Sequence, residues 1–417
     1  MSYFTSNTYA LKREILDFSK KISSGLGKTT TRFNADMTYG ILASGSTLLT
    51  DIADALHEKS KKINTVDRLS RHLMDGIPKG AVKPLLVETR KLLPESPIVH
   101  VDDTDIIKPY GKEFESLSRV RDGSRSTPDK SVFGDGYLVT EACAMTADGS
   151  PVSVFSHIHS PAEEAYISAN DITFAAFERA ERLFKHATFV MDRGYDDNKM
   201  FQRLDGDGQS FVIRLTKKRK LLYHGRWVTA DELAMRRKGK VRMDVTYHGC
   251  DATAYVSHVS VMITASRKPV SLVLVYGLSA SPMMLASNIA IRSKDDVIRI
   301  ARLYFSRWRI EEYFRAKKQV FGFENFRVRS LKAIRAMNFY LTACMTFLAR
   351  ISMKKAASKL KHEIIRTADP IKAKVRFEYY RISKGIAGIL SYAHSGVEGF
   401  FKAVRPQYRQ LSFKLIS

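Results

Sequence analysis

Cysteine is scarce in this chain of 417 residues: Cys143, Cys250 and Cys344 lie far apart and form no Cys-x-x-Cys motif. This pattern argues against a disulfide framework or a zinc ribbon and favours a reducing compartment. No run of about 18 or more apolar residues occurs, and the first residues mix charged and polar types. We therefore expect neither a transmembrane helix nor a signal peptide.

Acidic residues are too few to balance the basic ones. The 43 Asp and Glu stand against 68 Lys and Arg, which gives a net charge of +25 and a pI of about 9.8. Such an excess favours a polyanionic partner, most often nucleic acid, with an anionic membrane surface as the other option. The hydrophobic content of 44% is enough for packed cores, and the length predicts about two to four folding units.

Residues 1–95 are predicted to form a helical region that binds DNA ends. Residues 48–57 have the pattern of a short helix, and 67–73 is a candidate second helix that presents Arg68 and Arg71. A helix-turn-helix-like DNA reader and a plain helical bundle fit this region about equally well, because no spacing in it is diagnostic.

The segment 96–215 is predicted to be the first part of a catalytic core. A strand at 98–101 runs into Asp102-Asp103-Thr104-Asp105, and a strand at 187–191 runs into Asp192. The remaining predicted elements are, in chain order, a hairpin at 136–146 and 151–157, a helix at 163–184, a helix near 197–204 and a strand at 210–215. This order predicts a mixed α/β sheet, flanked by helices, of the RNase H-like kind.

Residues 216–284 interrupt the core with alternating apolar and β-branched residues, which predicts a β-rich insertion. Its basic runs make Lys217, Lys218 and Arg219 candidates for contacts with DNA phosphates, whereas solvated loops are the simpler explanation of such runs. The core is expected to resume over 285–345. Residues 346–417 are predicted to form a helical region that could support dimerisation.

The stretch 304–318 contains neither proline nor glycine and is predicted to continue a helix that begins near residue 295. On a helix of about 100° per residue, Tyr304, Arg307, Glu311 and Lys318 fall within an arc of about 60°. This arc lies beside the apolar arc rather than opposite to it, so it is turned partly toward the protein. Taken alone, a salt-bridged helix surface is the simpler explanation, and a site for metal and phosphate is the alternative.

Three acidic residues follow from this layout as candidate metal ligands. Asp103 is expected at the end of the first strand, Asp192 at the end of a later strand and Glu311 on the charged helix. Strand ends and a crossing helix can bring these residues to one place. Carboxylates without clustered His or Cys suit Mg²⁺, with Mn²⁺ as a substitute, and two such ions can promote in-line phosphoryl transfer.

The spacing Tyr304-x2-Arg307-x3-Glu311-x6-Lys318 resembles the Y-R-E-K motif of DDE insertion-sequence transposases, in the group named after insertion sequence four. The resemblance covers residues 98–330, and a β-rich insert before the glutamate is also a feature of that group.

Two aspartate motifs of the family have counterparts as well. Asp103-Thr104 is similar to the first catalytic aspartate, and Asp192-Arg193-Gly194-Tyr195 is similar to the second. Asp102 and Asp105 compete with Asp103 for the first position, and the Asp-Thr step favours Asp103.

The resemblance implies an enzyme that binds the terminal inverted repeats of its own element. It would hydrolyse DNA at the element ends and join the freed 3′-hydroxyl groups to target DNA. Asp103, Asp192 and Glu311 would hold two Mg²⁺ ions.

The resemblance also implies where DNA would lie. Tyr304, Arg307 and Lys318 would contact phosphates near the cleaved end, and Arg193 is a further DNA-binding candidate. Trp227 is the candidate aromatic for a flipped base, although a core tryptophan is the simpler assumption. The implied partners are double-stranded DNA and a second copy of the chain, with no membrane partner, in the cytoplasm of a prokaryotic cell at its nucleoid.

Two other functions use the same residues. A metal-dependent RNase H-like nuclease would cut without strand transfer, and a DNA-binding protein could carry an inactive site. A tyrosine recombinase is disfavoured, because none of the eleven histidines has an arginine three residues later.

Overall fold

The computed structural model describes residues 2–127, 129–247, 250–263, 268–355, 357–368 and 377–397, with side chains from residue 7 onward. Parts of the predicted insertion and of the predicted C-terminal region, including 398–417, lie outside the described residues. The helices are α1 (Ser2–Lys21), α2 (Lys28–Ser44), α3 (Leu49–Leu56), α4 (Lys62–Met74), α5 (Val82–Arg90), α6 (Ala169–Leu183), α7 (Asn198–Gly206), α8 (Ala230–Met235), α9 (Lys294–Phe305), α10 (Trp308–Phe321), α11 (Leu331–Ser352), α12 (Lys359–Thr367) and α13 (Tyr379–Leu390).

The strands alternate with these helices in the middle of the chain and cluster in the predicted insertion. They are β1 (Ile98–Ile107), β2 (Ser118–Arg121), β3 (Phe133–Met145), β4 (Pro151–His159), β5 (Thr188–Met191), β6 (Ser210–Arg214), β7 (Lys220–Tyr223), β8 (Arg226–Thr229), β9 (Val241–Tyr247), β10 (Cys250–Ile263), β11 (Pro269–Tyr276) and β12 (Met283–Ser287).

The described strands form one mixed sheet with the order β2-β3-β1-β5-β6-β12-β11-β10-β7-β8, in which β4 also pairs with β3 and β9 with β10. β1 runs antiparallel to β3 and parallel to β5, and β5 runs parallel to β6. The crossover helices α6 and α7 make these parallel pairs possible. The predicted mixed α/β sheet flanked by helices is confirmed, with a β-rich insertion and with helical regions at both ends as far as they are described. Its RNase H-like character stays a prediction.

The insertion is continuous with the core sheet. Its strands β7 to β11 fall within the range 216–284, and α8 among them begins with a capping box of Thr229 and Glu232. β12 then pairs with β11 on one side and with β6 on the other, antiparallel to both. The hydrogen bonds between these strands therefore attach the insertion to the edge of the core sheet. The predicted domain boundaries stay predictions.

Two predicted elements have different limits. The first strand was expected at 98–101 but extends to Ile107, because β1 pairs with β3 from Val99 to Ile107. Ladder partners here outweigh the weak strand preference of aspartate. The helix expected at 163–184 begins only at Ala169, where the Ser168 hydroxyl accepts a hydrogen bond from the Asp171 amide.

Helix α11 lies at the centre of the core. Nearly all of its residues are buried, and it packs against β4, α2, α4 and α13. It thereby joins the N-terminal helices to the sheet. None of the described helices is long and apolar enough to cross a membrane.

A buried ion pair attaches α10 to the sheet. The Lys317 Nζ lies 3.0 Å from the Glu141 carboxylate on β3, with the side chains 1% and 0% exposed. Ser156 donates to the same carboxylate, and Asn338 accepts from Lys317 at 2.9 Å. A buried charge of this kind is tolerated only because each partner neutralises and hydrogen-bonds the other.

Lys317→Met should therefore destabilise the protein by about 3–5 kcal/mol, because Glu141 keeps a buried charge without its partner. The double variant Lys317→Met/Glu141→Leu should recover most of the loss, since no unpaired charge remains. Thermal and urea unfolding of the full chain measure the effect, with the exposed Lys199→Met as the matched control. A single variant as stable as wild type would show that the pair does not hold α10.

Candidate active site

The charged stretch 304–318 is not one helix, so that prediction is wrong. α9 ends at Phe305, α10 begins at Trp308, and Ser306 and Arg307 form a turn between them. The turn places Tyr304 on α9 and Glu311 and Lys318 on α10, although Tyr304 still interacts electrostatically with Arg307.

Tyr304 is the residue most affected by this break. It belongs to α9, is 6% exposed and packs in a cluster with Val297 and Ile300. Its side chain presents little surface to a phosphate in this structure, whereas Arg307 and Glu311 remain close to each other.

Arg307 joins β1 to α10 through two carboxylates. One guanidinium nitrogen lies 2.6 Å from Asp102 Oδ2, and another lies 2.5 Å from Glu311 Oε1. Arg307 and Asp102 are mostly buried, while Glu311 is 50% exposed. Three groups from two elements therefore meet at one point, and one of them is the predicted Glu311.

Asp192 provides a further carboxylate near Asp102. It follows β5 directly, and its carboxylate accepts a 2.5 Å hydrogen bond from the Gly194 amide. Burial raises the pKa of Asp102 to about 7, Arg307 opposes this rise, and the negative charges of Asp192 and Asp103 add to it. Asp192 thus lies close enough to Asp102 to disfavour a second negative charge, as expected for carboxylates that share one site.

Asp103 faces a different environment from Asp102. Successive residues of a strand point to opposite faces, and Asp103 Oδ1 accepts a 2.5 Å hydrogen bond from Thr140 on β3. Burial raises the pKa of Asp103, hydrogen bonds from Thr140 and Tyr195 oppose the rise, and the negative charge of Asp192 adds to it. Asp192 therefore lies near Asp103 as well as near Asp102. The expectation that Asp103 ends its strand is wrong, since Asp103 lies within β1.

Lys318 contacts the third aspartate of β1. Its Nζ lies 2.9 Å from Glu324 Oε1 and 3.6 Å from Asp105 Oδ2. The predicted phosphate-binding residues Arg307 and Lys318 are therefore both paired with carboxylates of the chain itself.

The predicted DNA-binding residues of the insertion divide into two groups. Lys217 and Lys218 are exposed, and Trp227 on β8 is 54% exposed. Arg219 is mostly buried and lies 2.7 Å from Asp196, so it stabilises the fold locally.

The other predicted DNA-binding residues divide in the same way. Arg71 and Arg193 are exposed. Arg68 lies 2.9 Å from Asp36 and 2.8 Å from Glu58, both of which are mostly buried. Arg68 therefore connects α4 to neighbouring helices rather than presenting a free charge.

The side-chain atoms present at this site determine whether it could bind a divalent cation. The carboxylates of Asp102, Asp192 and Glu311 are hard oxygen donors. Burial is the main reason for the raised pKa of Asp102, and the negative charges of Asp192 and Asp103 contribute to it. Within the described residues no group of three acidic, His or Cys side chains is already arranged to hold an ion. The residues fit a divalent cation if Arg307 gives up its contact with Glu311.

Sequence reasoning missed the residues that hold Asp103. Thr140 lies directly opposite Asp103 in the β1–β3 register and also contacts His159 Nε2 at 3.0 Å. No local sequence motif identifies Thr140, because its position opposite Asp103 depends on the pairing of β1 with β3. Tyr195 was visible only as part of the motif that follows Asp192.

Arg307→Ala should tighten Mn²⁺ binding by about tenfold in the absence of DNA, because a competing positive charge leaves Asp102 and Glu311. Calorimetric titration of Mn²⁺ measures this affinity. Arg315→Ala, which removes a similar pair with Glu312 on α10, is the matched control. Unchanged or weaker Mn²⁺ binding in Arg307→Ala would contradict the assignment of these carboxylates to a metal site.

Comparisons with known proteins agree with the motif in this part of the chain. Residues 168–348 match the protein family described as "Transposase DDE domain". The match includes Asp192, Arg307 and Glu311 but begins after β1, so it does not distinguish Asp102 from Asp103.

No curated protein matches the sequence. Among solved structures, piggyBac transposase in a synaptic complex with hairpin DNA is similar, with a TM-score of 0.44 and 10% identity over 92% of this chain and 78% of that chain. The family match therefore identifies residues 168–348 of this chain as similar to a transposase DDE domain.

Proposed function

We propose that this protein is the transposase of an insertion sequence of the group named after insertion sequence four. It binds the terminal inverted repeats of its element, cleaves DNA at the element ends and joins the 3′-hydroxyl ends to target DNA. The observation that carries this proposal is the contact of Arg307 with both Asp102 and Glu311, next to Asp192. Arg307, Glu311 and Asp192 lie in the segment similar to a transposase DDE domain. The net charge of +25 supports DNA as the partner.

Asp102, Asp192 and Glu311 are the proposed ligands of two Mg²⁺ ions, which Mn²⁺ can replace. Asp103 was favoured from the sequence, but Asp102 faces Arg307 and Glu311, so the geometry favours Asp102. When bound, the ions would activate the attacking water or 3′-hydroxyl and stabilise the leaving oxygen. Asp103, which Thr140 and Tyr195 hydrogen-bond, also lies near Asp192 and is the competing candidate for the first ligand.

Arg307 and Lys318 are proposed to exchange their carboxylate partners for DNA phosphates. In the DNA-free chain Arg307 neutralises Asp102 and Glu311, and Lys318 neutralises Glu324 and Asp105. A phosphate near the cleaved end offers each cation an equally charged acceptor. The exchange leaves Glu311 available as a ligand at the moment when DNA occupies the site.

The exposed basic residues define the proposed path of the DNA. Lys217, Lys218 and Arg193 would contact backbone phosphates, and Arg71 would contact the terminal repeat. Trp227 is sufficiently exposed to stack on an unpaired base. Arg68, Arg219 and Tyr304 are buried or paired, and they are proposed to support this surface from within.

The assembly proposed for the reaction is a homodimer that holds two element ends together on the chromosome of a prokaryotic cell. The described C-terminal helices α12 and α13 belong to the region expected to support dimerisation. An RNase H-like nuclease without strand transfer is the second candidate, because the same carboxylates would serve it. Strand transfer from pre-cut element ends, assayed with a target plasmid, separates the two functions.

Cleavage of the terminal repeat in the presence of Mg²⁺ should fall by more than about 100-fold in each of Asp102→Asn, Asp192→Asn and Glu311→Gln. Loss of a residue that hydrogen-bonds a metal ligand costs about 10- to 100-fold, and loss of the ligand itself should cost more. Binding of the repeat should remain near the wild-type level. Cleavage and mobility-shift assays measure both, with repeats taken from the DNA that flanks the gene.

Asp103→Asn is the decisive comparison, and Asp17→Asn on the exposed face of α1 is the remote control. Asp103→Asn should keep more activity than Asp102→Asn. The reverse order would make Asp103 the first ligand, and full activity in Asp192→Asn or Glu311→Gln would remove that residue from the site.

A further inference from the structure

The break between α9 and α10 is not caused by glycine or proline, since residues 295–321 contain neither. The turn consists of Ser306 and Arg307, and Arg307 contacts both Asp102 and Glu311. The contacts of Ser306 show what stabilises the turn.

Ser306 makes two hydrogen bonds in that turn. Its hydroxyl donates to the Leu303 carbonyl at 2.7 Å, which replaces a continuing helical bond, and it lies 2.9 Å from His100 Nε2. Because the hydroxyl hydrogen is directed to Leu303, the ring nitrogen of His100 must be the donor to Ser306. His100 Nδ1, which is buried and has no hydrogen-bond partner among the described residues, is then the unprotonated nitrogen.

His100 lies on the strand that carries the acidic residues. It is completely buried in β1, two residues before Asp102, so both side chains extend from the same face of the strand. The two contacts run side by side: His100 reaches Ser306, and Asp102 reaches the next residue, Arg307. One strand face therefore holds both residues of the turn.

We infer that His100 is a positioning residue: by donating to Ser306 it fixes the break between α9 and α10 and directs Arg307 toward Asp102 and Glu311. Without this contact, α9 and α10 are free to continue as one helix, as the sequence alone predicts. Both turn residues already have right-handed helical backbone angles, so a continuous helix would displace Arg307 only slightly from its present position. The inference rests on the proposed function for its catalytic consequence, but the position of the turn can be measured separately.

Two substitutions of His100 distinguish the effect of its hydrogen-bond donor from the effect of its ring. His100→Leu keeps an apolar side chain of similar size but removes the donor, whereas His100→Gln places an amide donor near the position of Nε2. Ser306→Ala removes the acceptor from the turn itself. Ser19→Ala, which removes a buried hydroxyl bonded to its own helix in α1, is the matched control.

His100→Leu and Ser306→Ala should each reduce kcat for Mg²⁺-dependent cleavage of the terminal repeat by about 10- to 100-fold, with KM changed by less than about twofold, because a small displacement of reacting groups is costly. The double variant should be no slower than Ser306→Ala, since Ser306→Ala already removes the contact with His100 together with the bond to the Leu303 carbonyl. His100→Gln should recover most of kcat, and Ser19→Ala should match wild type.

Trp308 fluorescence measures the turn without reference to activity. Trp308 is the first residue of α10, and the Arg309 guanidinium lies 4.5 Å from its ring. In full-length protein with Trp227→Phe, Trp308 is the sole tryptophan. Its emission should shift in His100→Leu and Ser306→Ala but not in His100→Gln or Ser19→Ala.

Wild-type emission in both His100→Leu and Ser306→Ala, or losses of kcat that simply add in the double variant, would overturn the inference. If His100→Leu does not fold, Ser306→Ala and His100→Gln decide together: wild-type emission in Ser306→Ala, or a shifted emission in His100→Gln, overturns the inference. If wild type shows no Mg²⁺-dependent cleavage, the proposed function fails, whereas the emission of Trp308 still decides whether His100 fixes the turn.

Discussion

The contact of one guanidinium with two carboxylates holds the candidate active site together. Arg307 lies between Asp102 of β1 and Glu311 of α10, at 2.6 and 2.5 Å. Without Arg307, burial and the neighbouring negative charges would disfavour ionised Asp102 even more strongly than they already do. The acidic site therefore contains its own counterion, and the reaction that we propose requires this counterion to change partners.

Two further contacts determine where that guanidinium can lie. Lys317 and Glu141 attach α10 to β3 through a fully buried pair, and His100 holds the turn from which Arg307 extends. Neighbouring lysines of α10 thus have separate tasks: Lys317 is buried for stability, and Lys318 lies near the surface beside Glu324. This division explains how a basic helix can be both part of the core and part of the proposed DNA-binding surface.

The sequence was sufficient for features that depend on local pattern. Apolar runs and turn residues gave the order of strands and helices, the helical ends and the place of Asp192 after its strand. Features that depend on tertiary partners were missed or misplaced. The length of β1 depends on β3, the helix break depends on His100, and the buried pairing of Arg68 depends on Asp36 and Glu58. A helical wheel cannot reveal such contacts, because it assumes the regular helix that they interrupt.

The most direct test of this account is the location of Mn²⁺ by anomalous diffraction from crystals of the full chain with a pre-cut element end. The account predicts an ion bound by Asp102 and Asp192, with Glu311 released from Arg307 and Arg307 placed on a DNA phosphate. An ion bound by Asp103 on the Thr140 side, with Arg307 still joining Asp102 to Glu311, would contradict it.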